Sequence, residues 1–126
     1  MQAAPARTAP ILDTATIDDL MEGLGLADVR LMFGVFTAET VTRLDHLRGL
    51  SCENDRVRIK DEAHKLKGAA GTTGLLALAQ LARQLEQSAL VIAPTDYVEL
   101  VKRLDTSFKV ARAEVYRALA GMATAA

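Results

Sequence analysis

Tyr97, Val101, Leu104, Phe108, Ala111, Val115 and Met122 recur at intervals of 4, 3, 4, 3, 4 and 7 residues. An α-helix turns once every 3.6 residues, so this spacing lays one apolar seam along a helix, and partner helices must cover it. Helical spacing recurs upstream. Phe33, Phe36, Thr40, Leu44 and Leu47 mark a helix from about Ala27 to about Leu50. Ile59, Ala63, Leu66 and Ala70 mark a second, capped by Asn54 or Asp55 and running to about Thr73. Leu78, Leu81, Leu85 and Ala89 mark a third, from about Leu75 to Leu90, and Thr95, after Pro94, caps the fourth. A short lead helix starts at Thr16, with Asp19 in the return position of a capping box, and ends near Gly23 and Gly25. Strand-like alternation is weak. Short loops between amphipathic helices make neighbours antiparallel, so the expected fold is all-α: an up-down-up-down four-helix bundle with a short N-terminal lead helix.

Composition narrows the functions open to such a bundle. The chain has 126 residues, a formal net charge of -1 and a 50% hydrophobic content, the size of one domain. It is too apolar for a disordered chain and too balanced in charge for a general nucleic-acid binder. One cysteine, Cys52, excludes a disulfide scaffold and offers no set of ligands at metal spacing, so no metal is expected. No apolar run is long enough for a signal-peptide core or a membrane span, and a cytoplasmic location is expected. Residues 1–15, interrupted by Pro5 and Pro10, are expected to form a flexible tail, 16–121 the bundle and 122–126 a frayed end. The initial Met and that tail fit a stand-alone protein rather than a piece of a hybrid kinase.

One residue of the second long helix stands apart. With His64 at the origin of a helical wheel, Lys67 falls at about -60°, Gly68 at about 40° and Gly71 at about -20°, whereas Ile59, Leu66 and Ala70 fall at roughly 200–240°. His64 therefore faces away from the core, with a lysine one turn along and two glycines on its own face. Each glycine costs a helix interior about 1 kcal/mol relative to alanine. Their return is close backbone approach by another body, such as the active site of a partner protein; the rival explanation is tight helix–helix packing. An exposed imidazole can act as a nucleophile and is largely neutral at cellular pH. If the helices pair antiparallel about Gly74, position 64 lies level with 85 or 86. A carboxylate at Glu86 can then accept from Nδ1–H of His64 and leave Nε2 free for attack. Arg83 falls on the same flank, one turn before Glu86. His46 has no comparable setting and reads as a surface residue.

The run His64-x-Leu66-Lys67-Gly68-Ala69-Ala70-x-x-x-Gly74 resembles the signature of the histidine-containing phosphotransfer (HPt) domain of phosphorelays, and the resemblance spans about residues 16–120. Ala69 stands where many members have Ser, and Thr73 where an apolar residue is common. The resemblance implies a four-helix bundle whose histidine is phosphorylated at Nε2, accepting the group from a receiver-domain aspartate and passing it to another. It implies no kinase site and no cofactor of the chain's own. His64 would be the carrier, Lys67 its charge partner, Gly68 the clearance residue, Gly74 the closure of the helix pair and Glu86 the imidazole's partner. Leu31, Met32 and Val35 form a second apolar strip on the first long helix, expected to stay partly exposed and dock the receiver, together with Gly68, Gly71 and Gly74. The expected partners are receiver domains of response regulators or a hybrid histidine kinase, with the chain acting as a monomer. Two other readings stay open: a kinase-derived dimeric phosphotransferase, and a non-catalytic helical interaction module with a chance motif.

Overall fold

The structure is a computed structural model that describes residues 9–125, with side chains through Met122. Five helices follow in order: α1 (Thr14–Leu24), α2 (Leu26–Gly49), α3 (Arg56–Thr72), α4 (Leu76–Ser88) and α5 (Pro94–Ala125). Helices α2 to α5 form an antiparallel up-down-up-down bundle, and α1 packs back onto α2. The described residues contain no strand.

The core is built from the stripes that set the helical period. Phe33, Phe36, Leu44 and Leu47 of α2, Ile59 and Leu66 of α3, Leu78 and Leu85 of α4, and Leu104, Phe108 and Val115 of α5 are buried together. Each such side chain taken out of water contributes roughly 1.5–3 kcal/mol before the entropy of ordering it is counted. Leu81 is only partly buried and Ala82 takes the inward position on α4, because the closely paired α3 leaves room there for a methyl group. Leu100 and Leu119 join the α5 seam, and Met122 packs partly against it. Cys52, on the α2–α3 connection, is a free thiol inside the core. The ring of Tyr97 is also buried; its hydroxyl donates to the Leu47 carbonyl at the end of α2, and burial pushes its pKa up to about 12.

Two helix starts differ from expectation, and the third, capped by Asp55 as expected, lacks the side-chain bond of a cap. The lead helix is capped by Asp13 rather than Thr16. The Asp13 carboxylate accepts from the Thr16 backbone N–H at 3.4 Å and from the Thr16 hydroxyl at 2.9 Å, so Thr16 serves as the cap's partner inside the first turn. Helix α5 begins at Pro94 itself, a position where the missing N–H costs nothing, so Thr95 lies within the helix and does not cap it. Asp55 does precede α3, but its carboxylate accepts from the Ser51 backbone N–H rather than from a helix amide.

The expected tail also changes extent. Residues 1–8 lie outside the described residues, but Ala9 donates to the Gln80 side chain at 3.0 Å, Leu12 packs on the core, and Asp13 donates its backbone N–H to the Gly74 carbonyl at 2.7 Å. That last bond ties the start of α1 to the α3–α4 turn. At the other end, helix α5 runs through residues 122–125.

Two glycines at positive φ set the path of the chain. Gly25, at φ 83°, ends α1 and starts α2, folding the lead helix back. Gly74, at φ 80°, closes α3 in a Schellman motif, in which Leu75 N–H bonds the Ala70 carbonyl and Gly74 N–H bonds the Gly71 carbonyl.

Candidate functional site

Helices α3 and α4, turned tightly about Gly74, bring His64 and Glu86 together. Nδ1 of His64 lies 2.7 Å from Oε2 of Glu86. The imidazole is 69% exposed while Glu86 is 13% exposed, so the carboxylate is the sheltered partner and the ring projects into solvent. An ionised carboxylate can only accept, so it selects the tautomer with hydrogen on Nδ1 and leaves the Nε2 lone pair outward. No group among the described residues bonds Nε2.

Lys67, expected as the charge partner of His64, reaches the same carboxylate. Its ammonium does not stand free beside the ring; it donates to Glu86, at 2.6 Å to Oε1 and 3.2 Å to Oε2. One carboxylate thus serves two donors. The Lys67 bond first, and the His64 bond second, hold the Glu86 carboxyl below its ordinary value of 4.5, against a smaller opposing effect of desolvation.

The remaining expected residues separate into groups. Arg83 is exposed and makes no hydrogen bond or ion pair among the described residues, so it stands outside the His64–Glu86–Lys67 cluster. A Cβ built on Gly68 or Gly71 would meet nothing within 4 Å, which removes tight helix–helix packing as the reason for either glycine. Gly74 is buried in the turn, where a Cβ would meet Thr16 Cβ at 3.1 Å and the Asp13 carbonyl at 3.2 Å; it shapes the hairpin and offers no docking surface. Leu31 and Val35 are 69% and 54% exposed, and Met32 is partly buried against the core.

The Arg43–Glu62 ion pair, 3.2 Å long, fixes the register of α2 against α3. Antiparallel pairing from that point puts residues 31–35 level with about residues 70–74, on the order of 10 Å along the helix from His64 toward the hairpin turn. The apolar strip and the histidine thus lie at different levels of the helix-pair surface, with the open face of Gly68 between those levels and that of Gly71 level with the strip. His46 is exposed, with Nδ1 3.9 Å from Glu62, away from this surface.

Among the described residues no helix is long and apolar enough to cross a membrane, and no cluster of His, Cys, Asp and Glu is arranged to hold a metal ion.

Comparisons with known proteins agree with this geometry. The chain superimposes on the crystal structure of histidine-containing phosphotransfer protein B (HptB) from Pseudomonas aeruginosa PAO1 with a TM-score of 0.78, at 22% sequence identity, over 88% of this chain and 96% of that one. No curated protein matches it by sequence. The family model of the Hpt domain matches residues 31–114, a span that holds the histidine, its lysine and glutamate partners and the hairpin turn, and the chain belongs to that family of phosphorelay histidine phosphotransfer proteins.

Proposed function

We propose that His64 is the phosphoryl carrier of this protein, taking the group at Nε2 from the aspartate of one receiver domain and passing it to the aspartate of another. Proteins of the family interact with receiver domains and kinases. The observation that carries the assignment to His64 is the imidazole's asymmetry. Nδ1 is engaged by Glu86 at 2.7 Å, while Nε2 has no bond among the described residues, on a ring that is 69% exposed.

The surroundings support the same reading. Lys67 lies one turn from the ring and can turn from Glu86 toward phosphoryl oxygens; Arg83, with no partner among the described residues, is a second cation available in a docked complex. Gly68 and Gly71 keep the approach to Nε2 clear, and Leu31 and Val35, with Met32 behind them, provide apolar area for the receiver. All three clustered side chains come from one hairpin of one chain, so the site is complete in a monomer. The free thiol of Cys52 accords with a reducing, cytoplasmic setting. The transfer needs no cofactor bound to this chain.

The test is transfer of radiolabelled phosphate from phosphorylated receiver domains. The wild-type chain takes up acid-labile label, and His64→Ala takes up none while keeping its helical spectrum. Undiminished labelling of His64→Ala defeats the assignment.

A further inference from the structure

We propose that Glu86, shared between His64 and Lys67, keeps the Nδ1 proton on the imidazole through the whole phosphoryl cycle, so that the group enters and leaves His64 without any proton transfer. This rests on the reading of His64 as the phosphoryl carrier, and adds what the carboxylate does once the phosphoryl group is on the ring.

The form of the imidazole that can attack is the neutral tautomer with hydrogen on Nδ1, the one the Glu86 carboxylate selects. In the forward step the Nε2 lone pair forms the N–P bond while the P–O bond to the donor aspartate breaks, and that electron pair leaves on the aspartate carboxylate. The ring now carries phosphorus on Nε2 and hydrogen on Nδ1 and is formally cationic. A free phosphoimidazole can release that proton to water. Here the proton points at an ionised carboxylate 2.7 Å away, which favours the cationic ring. Glu86 does not take the proton itself, because the Lys67 ammonium 2.6 Å from its other oxygen makes it a weak base. In the onward step the N–P electron pair returns to Nε2, and the leaving group is neutral imidazole with hydrogen already on Nδ1. Had the proton been lost, the leaving group would be the far poorer imidazolate anion. A carrier that works in both directions thereby starts and ends each step in the same protonation state.

Other charges face the ring but do not decide the outcome. On α3, Lys60 and Asp61 lie one turn before His64 and Lys67 one turn after; on α4, Glu86 faces it and Arg83, one turn before Glu86, is exposed. From α2, Arg43 and His46 are directed at Glu62 instead. Lys60, Lys67 and Arg83 disfavour a cationic ring and Asp61 favours it, but of all these only Glu86 bonds the imidazole.

The experiment uses the whole chain with ¹⁵N-labelled histidine, phosphorylated chemically with phosphoramidate so that no partner is needed. The Nδ1–H of phosphorylated His64 is followed by ¹⁵N–¹H NMR from about pH 6 to about pH 9, a span that brackets ordinary imidazole titration. The expected result is a protonated Nδ1 through neutral pH in the wild type. In Glu86→Gln, whose amide oxygen can still accept the hydrogen bond, the titration moves down by about one to three pH units. The spontaneous rate of phosphoryl loss follows the same curve. A wild-type phosphoimidazole that is unprotonated at neutral pH overturns the proposal, as does an unchanged titration in Glu86→Gln. Phosphoramidate labelling that never reaches His64 defeats the carrier reading itself, so the two failures are distinguishable.

Discussion

His64 and Glu86 face each other across the α3–α4 hairpin, with 2.7 Å between Nδ1 and Oε2. Removing the carboxylate frees the ring to rotate and to place its hydrogen on either nitrogen. Glu86→Ala is expected to slow phosphorylation of His64 by about 10- to 100-fold, the range seen when a metal-ligating imidazole loses its orienting partner. Initial rates with one phosphorylated receiver domain measure it. A rate within twofold of wild type would show that the carboxylate does not orient the ring.

The same residue gives a pH dependence with a definite sign. The Glu86 carboxyl is held below 4.5 in the folded chain, chiefly by Lys67 and then by His64. A carboxyl with a depressed folded pKa contributes stability above its unfolded pKa and loses it as pH falls through the folded value. The stability gap between wild type and Glu86→Gln should therefore be present at neutral pH and close below about pH 4.5, the ordinary carboxyl value. Urea denaturation at several pH values checks this; a gap that persists unchanged at the acid end contradicts the assigned cause.

Lys67→Ala separates chemistry from folding. The side chain is 35% exposed and its bonds are to Glu86, so its loss should leave the melting temperature within a few degrees, as for a partly exposed ion pair. Phosphotransfer should nonetheless slow, by about tenfold or more, because a charge-assisted contact to the phosphoryl oxygens is lost. Lys67→Arg should restore part of the rate. Equal transfer rates for wild type and Lys67→Ala would remove the lysine from the mechanism.

The glycines divide by what surrounds them. Gly68 is helical, and an added Cβ meets nothing within 4 Å, so Gly68→Ala should stabilise the isolated chain by about 1 kcal/mol. If a receiver backbone approaches that face, the same methyl group should slow transfer. Gly74→Ala should act in the opposite sense on folding. The residue sits at φ 80°, where a side chain costs roughly 1–2 kcal/mol, and its Cβ would press on Thr16 and Asp13. Thermal melts and transfer rates for both variants give four outcomes; a stabilised Gly68→Ala with undiminished transfer would rule out close approach there.

These residues also show where the sequence was informative. The four apolar stripes set the bundle because a 3.6-residue period leaves few ways to bury them, and the wheel position of His64 placed it outward for the same reason. The level of Glu86 followed from a tight turn at Gly74. Lys67 was harder, since whether an ammonium rests on a carboxylate or stands free depends on how closely two helices approach, which spacing does not encode. The Asp13–Gly74 bond was invisible for a related reason: it joins a proline-interrupted segment to a turn through backbone groups that every residue possesses. Arg83 shares a flank with Glu86, yet it extends into solvent, because i,i+3 spacing fixes the face of a helix and not the direction of a long side chain.

Leu31 and Val35 provide the last test, since they are exposed apolar side chains with no packing role in the free chain. Leu31→Asp and Val35→Asp should leave thermal stability within about 0.5 kcal/mol of wild type, the usual range for surface changes. If the receiver covers this end of the surface as well as His64, burying an unpaired carboxylate there should weaken binding by about tenfold or more. Phosphorylation of His64 by phosphoramidate, which needs no docking, should be unaffected. Calorimetric titration with a receiver domain and the phosphoramidate reaction together decide the matter. Weakened binding with normal chemical phosphorylation assigns the strip to docking. Unchanged binding would confine the receiver to the α3–α4 face, leaving the α2 strip outside its footprint.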